Sequence, residues 1–144
     1  MSEFIHRYTG LILILFLVVL GFTGNLISGN LLVIAAQILG IALVISARIA
    51  FGRQRFNVSS TPAGGPLLRK GPYRIIRHPM YSGAMLFFLA TILDHLSMLT
   101  AVIGVIVLIA LPWRVYLEEV LLRAAYPDYA DYASKTYRMI PFLY

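Results

Sequence analysis

The hydrophobic residues of this chain fall into four blocks, and none shows the strict alternation of a half-buried strand. From Tyr8 to Ser28 the sequence runs through LILILFLVVL without a charge, and Leu31 to Ala47 reads LLVIAAQILGIALVISA before Arg48. Blocks of about 17–21 residues let a helix cross a hydrocarbon layer of roughly 30 Å. Gly29-Asn30 between them is a turn signal. Apolar sequence resumes from Tyr81 to Leu93 and from Leu96 to Trp113, divided by Asp94-His95. The pattern predicts an all-α integral membrane domain with four transmembrane helices, about 8–28, 31–51, 80–94 and 96–113, the last two forming a tight hairpin. Beyond Arg114 the chain is polar and tyrosine-rich, which predicts a helical continuation to about Ala125 and a short C-terminal helix and loop on the inner face.

Between the second and third blocks, Phe51 to Tyr81 has a different character. Arg53, Arg55, Arg69, Lys70, Arg74 and Arg77 lie among Pro62, Gly64-Gly65, Pro66, Gly71-Pro72 and Pro79, the make-up of a long polar loop. Composition then narrows the class. The chain of 144 residues is 60% hydrophobic and 12% charged, against about 25% charged in soluble domains. Its mean hydropathy is +0.82. These values argue against a soluble enzyme and a disordered tail, and the lack of cysteine excludes a disulfide scaffold or a thiolate metal site. The length fits one domain, residues 1–144. The formal charge of +6 reports topology rather than nucleic-acid binding. All twelve bases lie at the amino terminus, within 48–77 or after Trp113, and none lies in the turns 24–30 and 94–97. A multi-pass protein with both termini and the loop on the cytoplasmic side satisfies the positive-inside rule throughout. The first block is not expected to be a cleaved signal peptide, being too long, weakly charged in front and followed by no small-residue cleavage pattern.

Reactive side chains concentrate on that inner face. In Gly71-Pro72-Tyr73-Arg74-Ile75-Ile76-Arg77-His78-Pro79-Met80-Tyr81-Ser82-Gly83, Pro79 suits the first turn of a helix. Arg77 and His78 are then held at a helix start, where free N–H groups favour a carboxylate or other anion. A juxtamembrane stop with an Arg anchor and an aromatic belt accounts for the same residues. In Arg114-Val-Tyr-Leu-Glu118-Glu119, Arg114 and Glu118 share a helix face, and Glu119 is turned about 100° away. An exposed ion pair is the plain alternative. In Tyr126-Pro127-Asp128-Tyr129-Ala130-Asp131-Tyr132, tyrosines three apart lie on one face and suit either a ligand ring or an interfacial belt.

In order, GPYxxxRHPxYxG, then RxxxEExxL, then YxxY and a terminal Pro-Phe resemble the isoprenylcysteine carboxyl methyltransferases and the related phospholipid methyltransferases. The resemblance covers about residues 64–142, and it implies an integral membrane enzyme using S-adenosylmethionine, with S-adenosylhomocysteine as product. It implies a cofactor site at Gly65, Pro66, Leu67, Leu68, Tyr73, His78, Pro79, Met80, Tyr81 and Glu118, covered by the C-terminal helix and loop, with Arg114 toward the substrate. It also implies a lipophilic or prenylated acceptor from the bilayer, with membrane lipids around the protein and no nucleic-acid partner. Pro127 replaces the family's usual Gly before the tyrosine pair, and the amino-terminal part is short beside the eukaryotic enzymes.

The residue chemistry runs alongside. No GxGxxG follows a strand, so a Rossmann-type site is excluded. Glu118 suits an ammonium, N–H groups at the Pro79 helix start suit a carboxylate, and a tyrosine face suits adenine or a sulfonium. Arg114 would orient a carboxylate acceptor, for which no general base is needed. An amine acceptor must first lose a proton, and Glu119 or His78 would take it, which makes Arg114 and Glu119 the candidate catalytic residues. A four-helix transporter is disfavoured because the first two blocks carry no ionisable group within the spans. A non-catalytic membrane protein of the same fold is the remaining alternative. His6 and His95 are assigned no function, no metal site is expected, Asp94 and Ser97 are expected to cap helices, and Gly10, Gly21, Gly40 and Gly104 to allow close helix contacts.

Overall fold

The computed structural model of the chain describes residues 2–52 and 67–142, with side chains from Gly10 onward. The described residues form five α-helices and a single 3₁₀ turn: α1 (Ser2–Phe22), α2 (Leu31–Phe51), the 3₁₀ turn (Gly71–Arg74), α3 (Pro79–Asp94), α4 (Met98–Ala125) and α5 (Tyr129–Ser134). The all-helical architecture matches the apolar blocks, with one correction. The first helix was expected over about 8–28, but α1 begins at Ser2 and stops at Phe22. Gly24 takes a left-handed φ of 72°. Around it the Thr23 hydroxyl donates back to Val19 O (2.9 Å) and the Asn25 N–H to Leu20 O (2.8 Å). A left-handed residue just past a helix end stops it.

The expected helical continuation after Trp113 is present: α4 runs 28 residues through Pro112 to Ala125. Two helices, Leu31–Phe51 and Met98–Ala125, are long and apolar enough to cross a membrane, and two shorter apolar helices, Gly10–Phe22 and Pro79–Asp94, accompany them. The starts obey capping chemistry. Asn30 Oδ1 accepts from the Leu32 N–H (3.0 Å), and Ser97 and Thr100 form a reciprocal capping box. Asp94 does not cap; its carboxylate lies 3.5 Å from His95 Nε2, and that nitrogen is 3.3 Å from Ile27 O in the facing turn.

α2 packs along α3 and α4 packs against both α1 and α3. The core is Leu20, Met85, Phe88, Ile92, Ile103, Val107, Leu111, Val115 and Met139. Around it the helices present Leu11, Ile14, Leu15, Ile38, Leu39, Ile41, Ile45, Val105 and Ile109 outward. An apolar outer belt of this kind fits lipid as its surroundings.

The α2–α3 contact is made of backbone. A Cβ on Gly40 would stand 2.7 Å from Gly83 O, and one on Gly83 would stand 2.5 Å from Gly40 O. Small residues are what let apolar helices approach this closely. Gly104 faces the Ile92 side chain, 3.3 Å from where a Cβ would stand, whereas nothing comes near Gly10. Beside the crossing, buried Gln37 donates through Nε2 to Leu26 O and Thr91 Oγ1, both at 2.9 Å. Its amide therefore carries no unsatisfied donor into the apolar layer.

At the other end of the bundle the chain doubles back on itself. Ile76 forms a parallel bridge with Tyr137, so the stretch before α3 and the stretch after α5 run side by side. The Arg77 N–H donates to Tyr137 O (2.8 Å), the His78 N–H to Arg138 O (3.1 Å) and the Tyr137 N–H to Ile75 O (2.9 Å). Ser82 Oγ donates to Met139 O (2.6 Å). We call residues 133–139 the strap.

Candidate active site

The local sequence dictates how each group is presented. Pro79 is the first residue of α3 and His78 its N-cap. Proline lacks the N–H that a first helical residue would leave unpaired. His78 and Tyr81 are therefore fixed on one turn, their rings 5.9 Å apart and nearly parallel at 26°. From α4, Arg114 and Glu118 reach the same place one turn apart, as their spacing predicts.

These four side chains interlock. Arg114 Nε donates to the Tyr81 hydroxyl (2.6 Å) and to Glu118 Oε1 (3.3 Å). The Tyr81 hydroxyl donates in turn to Glu118 Oε1. The Arg114 guanidinium also lies over the Tyr81 ring, 5.4 Å from its centre. His78 Nδ1 is 3.5 Å from Glu118 Oε2. Arg114 and His78 are buried while Glu118 keeps part of its surface open.

Glu119 points the other way, as its offset of one residue requires. It is 2% exposed and is held by Arg77 Nε on Oε1 (2.8 Å) and by Arg138 Nε and Nη2 on Oε2 (both 3.0 Å). Arg123 Nη2 approaches at 4.0 Å, and His78 Nε2 lies 3.5 Å from Oε1. The imidazole thus stands between the two carboxylates. Burial alone would lower the pKa of His78, but hydrogen bonding and charge from Glu118 and Glu119 outweigh it and raise the pKa above the ordinary imidazole value.

The strap and α5 close this region. Tyr129 and Tyr132 are both buried and meet edge to face, 5.9 Å between ring centres. The Tyr132 hydroxyl donates to Tyr73 O (2.6 Å), tying α5 to the 3₁₀ turn. Burial pushes the Tyr73 phenol up to about 12, with Tyr132 and Glu118 adding to it. Burial also raises Tyr132 to about 12. Among the described residues, the buried Tyr129 hydroxyl completes no hydrogen bond, and His78 Nε2 has only the long 3.5 Å contact with Glu119 Oε1. A buried donor without a partner costs free energy, and in a site it marks a place for a ligand atom.

Of the residues expected at the site, the structure brings together Tyr73, His78, Pro79, Tyr81, Arg114, Glu118 and Glu119. Leu67, Leu68 and Met80 are half-buried. Gly65 and Pro66 lie outside the described residues. Sequence reasoning missed the partners of Glu119, namely Arg77 and Arg138, and the strap they fasten. One signal was available: Arg123 lies four residues after Glu119, so at least one base shares its helix face.

A family model for phospholipid methyltransferases matches residues 25–129, which takes in α2, α3, α4 and all four interlocked side chains. The chain belongs to the phospholipid methyltransferase family. No curated relative and no solved structure matches it. Membership joins the RHPxY and EE motifs, the apolar helices and a methyltransferase lineage in one assignment. As a phospholipid methyltransferase family member, the protein has its charged cluster where α3 begins and α4 leaves its apolar stretch.

Proposed function

We propose that the protein is a multi-pass membrane enzyme, crossing the bilayer with α1 to α4, that moves a methyl group from S-adenosylmethionine to a lipophilic acceptor at the cytoplasmic face. The observation that carries this reading is the Arg114–Tyr81–Glu118–His78 cluster, buried at the end of an apolar bundle. The residues present fit the cofactor's chemistry. Glu118 would hold its ammonium, the N–H groups at the start of α3 its carboxylate, and the Tyr129 hydroxyl is a buried group that completes no hydrogen bond. Tyr73 and Tyr81 would flank it, with Leu67, Leu68, Met80, Gly65 and Pro66 beside them. When bound it would supply a methyl carbon made electrophilic by a sulfonium.

The chain's own residues then have two tasks. The first is alignment, since holding two reactants in line can remove several kcal/mol, about 7–11 in well-oriented cases. The closed strap and the buried aromatics serve this by excluding water. The second is to hold the acceptor's headgroup. Arg114 is a buried guanidinium able to take an acid group in two-point fashion, either the carboxylate of a prenylated amino acid or the phosphate of a phospholipid. A carboxylate acceptor needs no proton removed. An amine acceptor does, and this second reading is favoured by His78, an imidazole beside two carboxylates that can take a proton when neutral. Glu119, held by two arginines, is less basic in that setting than His78.

Titration of S-adenosylhomocysteine into the detergent-purified protein tests the proposal. Micromolar binding is expected, weakened at least tenfold by Glu118→Gln or His78→Ala. Absence of binding to folded protein defeats the enzyme reading. Transfer of labelled methyl to prenylcysteine analogues or to phosphatidylethanolamine then assigns the acceptor.

A further inference from the structure

Glu119 is held by several bases and does not face the Arg114–Tyr81 side. Its partners come from three places. Arg77 precedes α3, Arg123 belongs to α4, and Arg138 belongs to the strap. Arg77 makes further bonds, donating through Nη1 to Ala133 O (2.8 Å), Thr136 Oγ1 (3.3 Å) and Thr136 O. One guanidinium therefore caps the carbonyls at the end of α5 while another, one residue beyond the parallel bridge, returns to the same carboxylate. The backbone pairings of the strap fall on Ile75, Arg77 and His78, and the Ser82 hydroxyl donates to Met139 O, so the strap is joined to the chain on both sides of His78.

We propose that Glu119 is a positioning residue: through Arg77 and Arg138 it fastens the strap across the start of α3 and so holds His78 between the two carboxylates. It touches neither methyl donor nor acceptor. Its effect on ligand binding passes through His78. The inference rests on the methyltransferase reading only for the ligand that reports it; the strap itself is read without any ligand.

Two measurements test it together. Amide hydrogen exchange over residues 75–78 and 133–139 of the full chain in detergent should quicken at least tenfold in Glu119→Gln, with exchange in α2 and in α4 up to Leu111 unchanged. S-Adenosylhomocysteine affinity should fall at least tenfold in the same variant. Because the effect passes through His78, the double variant His78→Ala/Glu119→Gln should bind no worse than His78→Ala within twofold. Should Glu119→Gln fail to fold, Arg138→Met removes one side of the clamp and should give the same changes at about a third of the size or more. Unchanged strap exchange in a folded variant overturns the proposal. So does a loss of turnover with exchange and affinity intact, which would place Glu119 at the reacting groups. Additive losses in the double variant would also overturn it. If the parent protein binds no S-adenosylhomocysteine, the methyltransferase reading fails while the exchange measurement still decides the strap.

Discussion

A single hydroxyl joins the two chemically opposed groups of the cluster. The Tyr81 phenol accepts from Arg114 and donates to Glu118, so both charged side chains keep their places without touching only each other. Tyr81→Phe leaves the ring and its packing but removes both bonds. Charge-assisted hydrogen bonds are worth about 1.5–3 kcal/mol, and about 1.4 kcal/mol is tenfold in an equilibrium. A loss of about tenfold or more in S-adenosylhomocysteine affinity is expected, measured by calorimetry in detergent. Equal affinity in the variant would show that the hydroxyl organises nothing the ligand uses. His78 supports a prediction about pH. Its pKa in the folded protein is raised above the 6.5 of a free imidazole, so its charged form stabilises the fold. That stability is fully present below about 6.5 and is lost as the pH rises through the higher folded value. The unfolding temperature of the parent protein should therefore fall over that window, and His78→Gln should flatten the fall. Thermal unfolding at stepped pH reads both.

Among the elements, the crossing of α2 and α3 has the least tolerance. Gly40 and Gly83 meet at backbone distance, with no side chain able to give way. Gly83→Ala forces the helices apart, and overpacking of this kind costs about 1–3 kcal/mol. A lower unfolding temperature is expected, whereas Gly10→Ala, with open space around it inside α1, should not lower it. An equal response from the two glycines would contradict the contact. This contrast also shows what the sequence could convey. Apolar blocks, the Pro79 start, the Ser97 cap and the shared face of Arg114 and Glu118 are local features, and each was readable because neighbouring residues decide it. The end of α1 at Phe22 was overrun although Thr23-Gly24-Asn25 carries a local stop signal, because Leu26 and Ile27 resume the apolar run beyond it. Glu119's partners were hidden for a different reason. Arg77 and Arg138 lie 42 and 19 residues away along the chain, and no periodicity reports such a distance. Which glycine of several carries a helix contact is equally a tertiary matter.

For the molecule as a whole, the sorting of charge gives a test of topology that the chain makes easy, because it has no cysteine. Single cysteines at Arg74, Leu96 and Ser134 are exposed positions before α3, between α3 and α4, and in α5. With all four apolar helices crossing, a membrane-impermeant maleimide on sealed vesicles should find Arg74→Cys and Ser134→Cys on one side and Leu96→Cys on the other. If only α2 and α4 cross, Arg74→Cys and Leu96→Cys should react together, and the four-span proposal fails.

The parallel pairing of Ile76 with Tyr137 has a further consequence for how the protein comes to be. The two partners are separated by the whole of α3 and α4, and chains are made from the amino end. Both helices must be synthesised before the partner of Ile76 exists, so the pairing belongs to the end of folding. Until Arg138 is in place, the charge of Glu119 is met by Arg77, Arg123 and water. The clasp that closes the site is therefore the last part of the described fold to form, and a chain ending before Arg138 would hold the helices but not the closure.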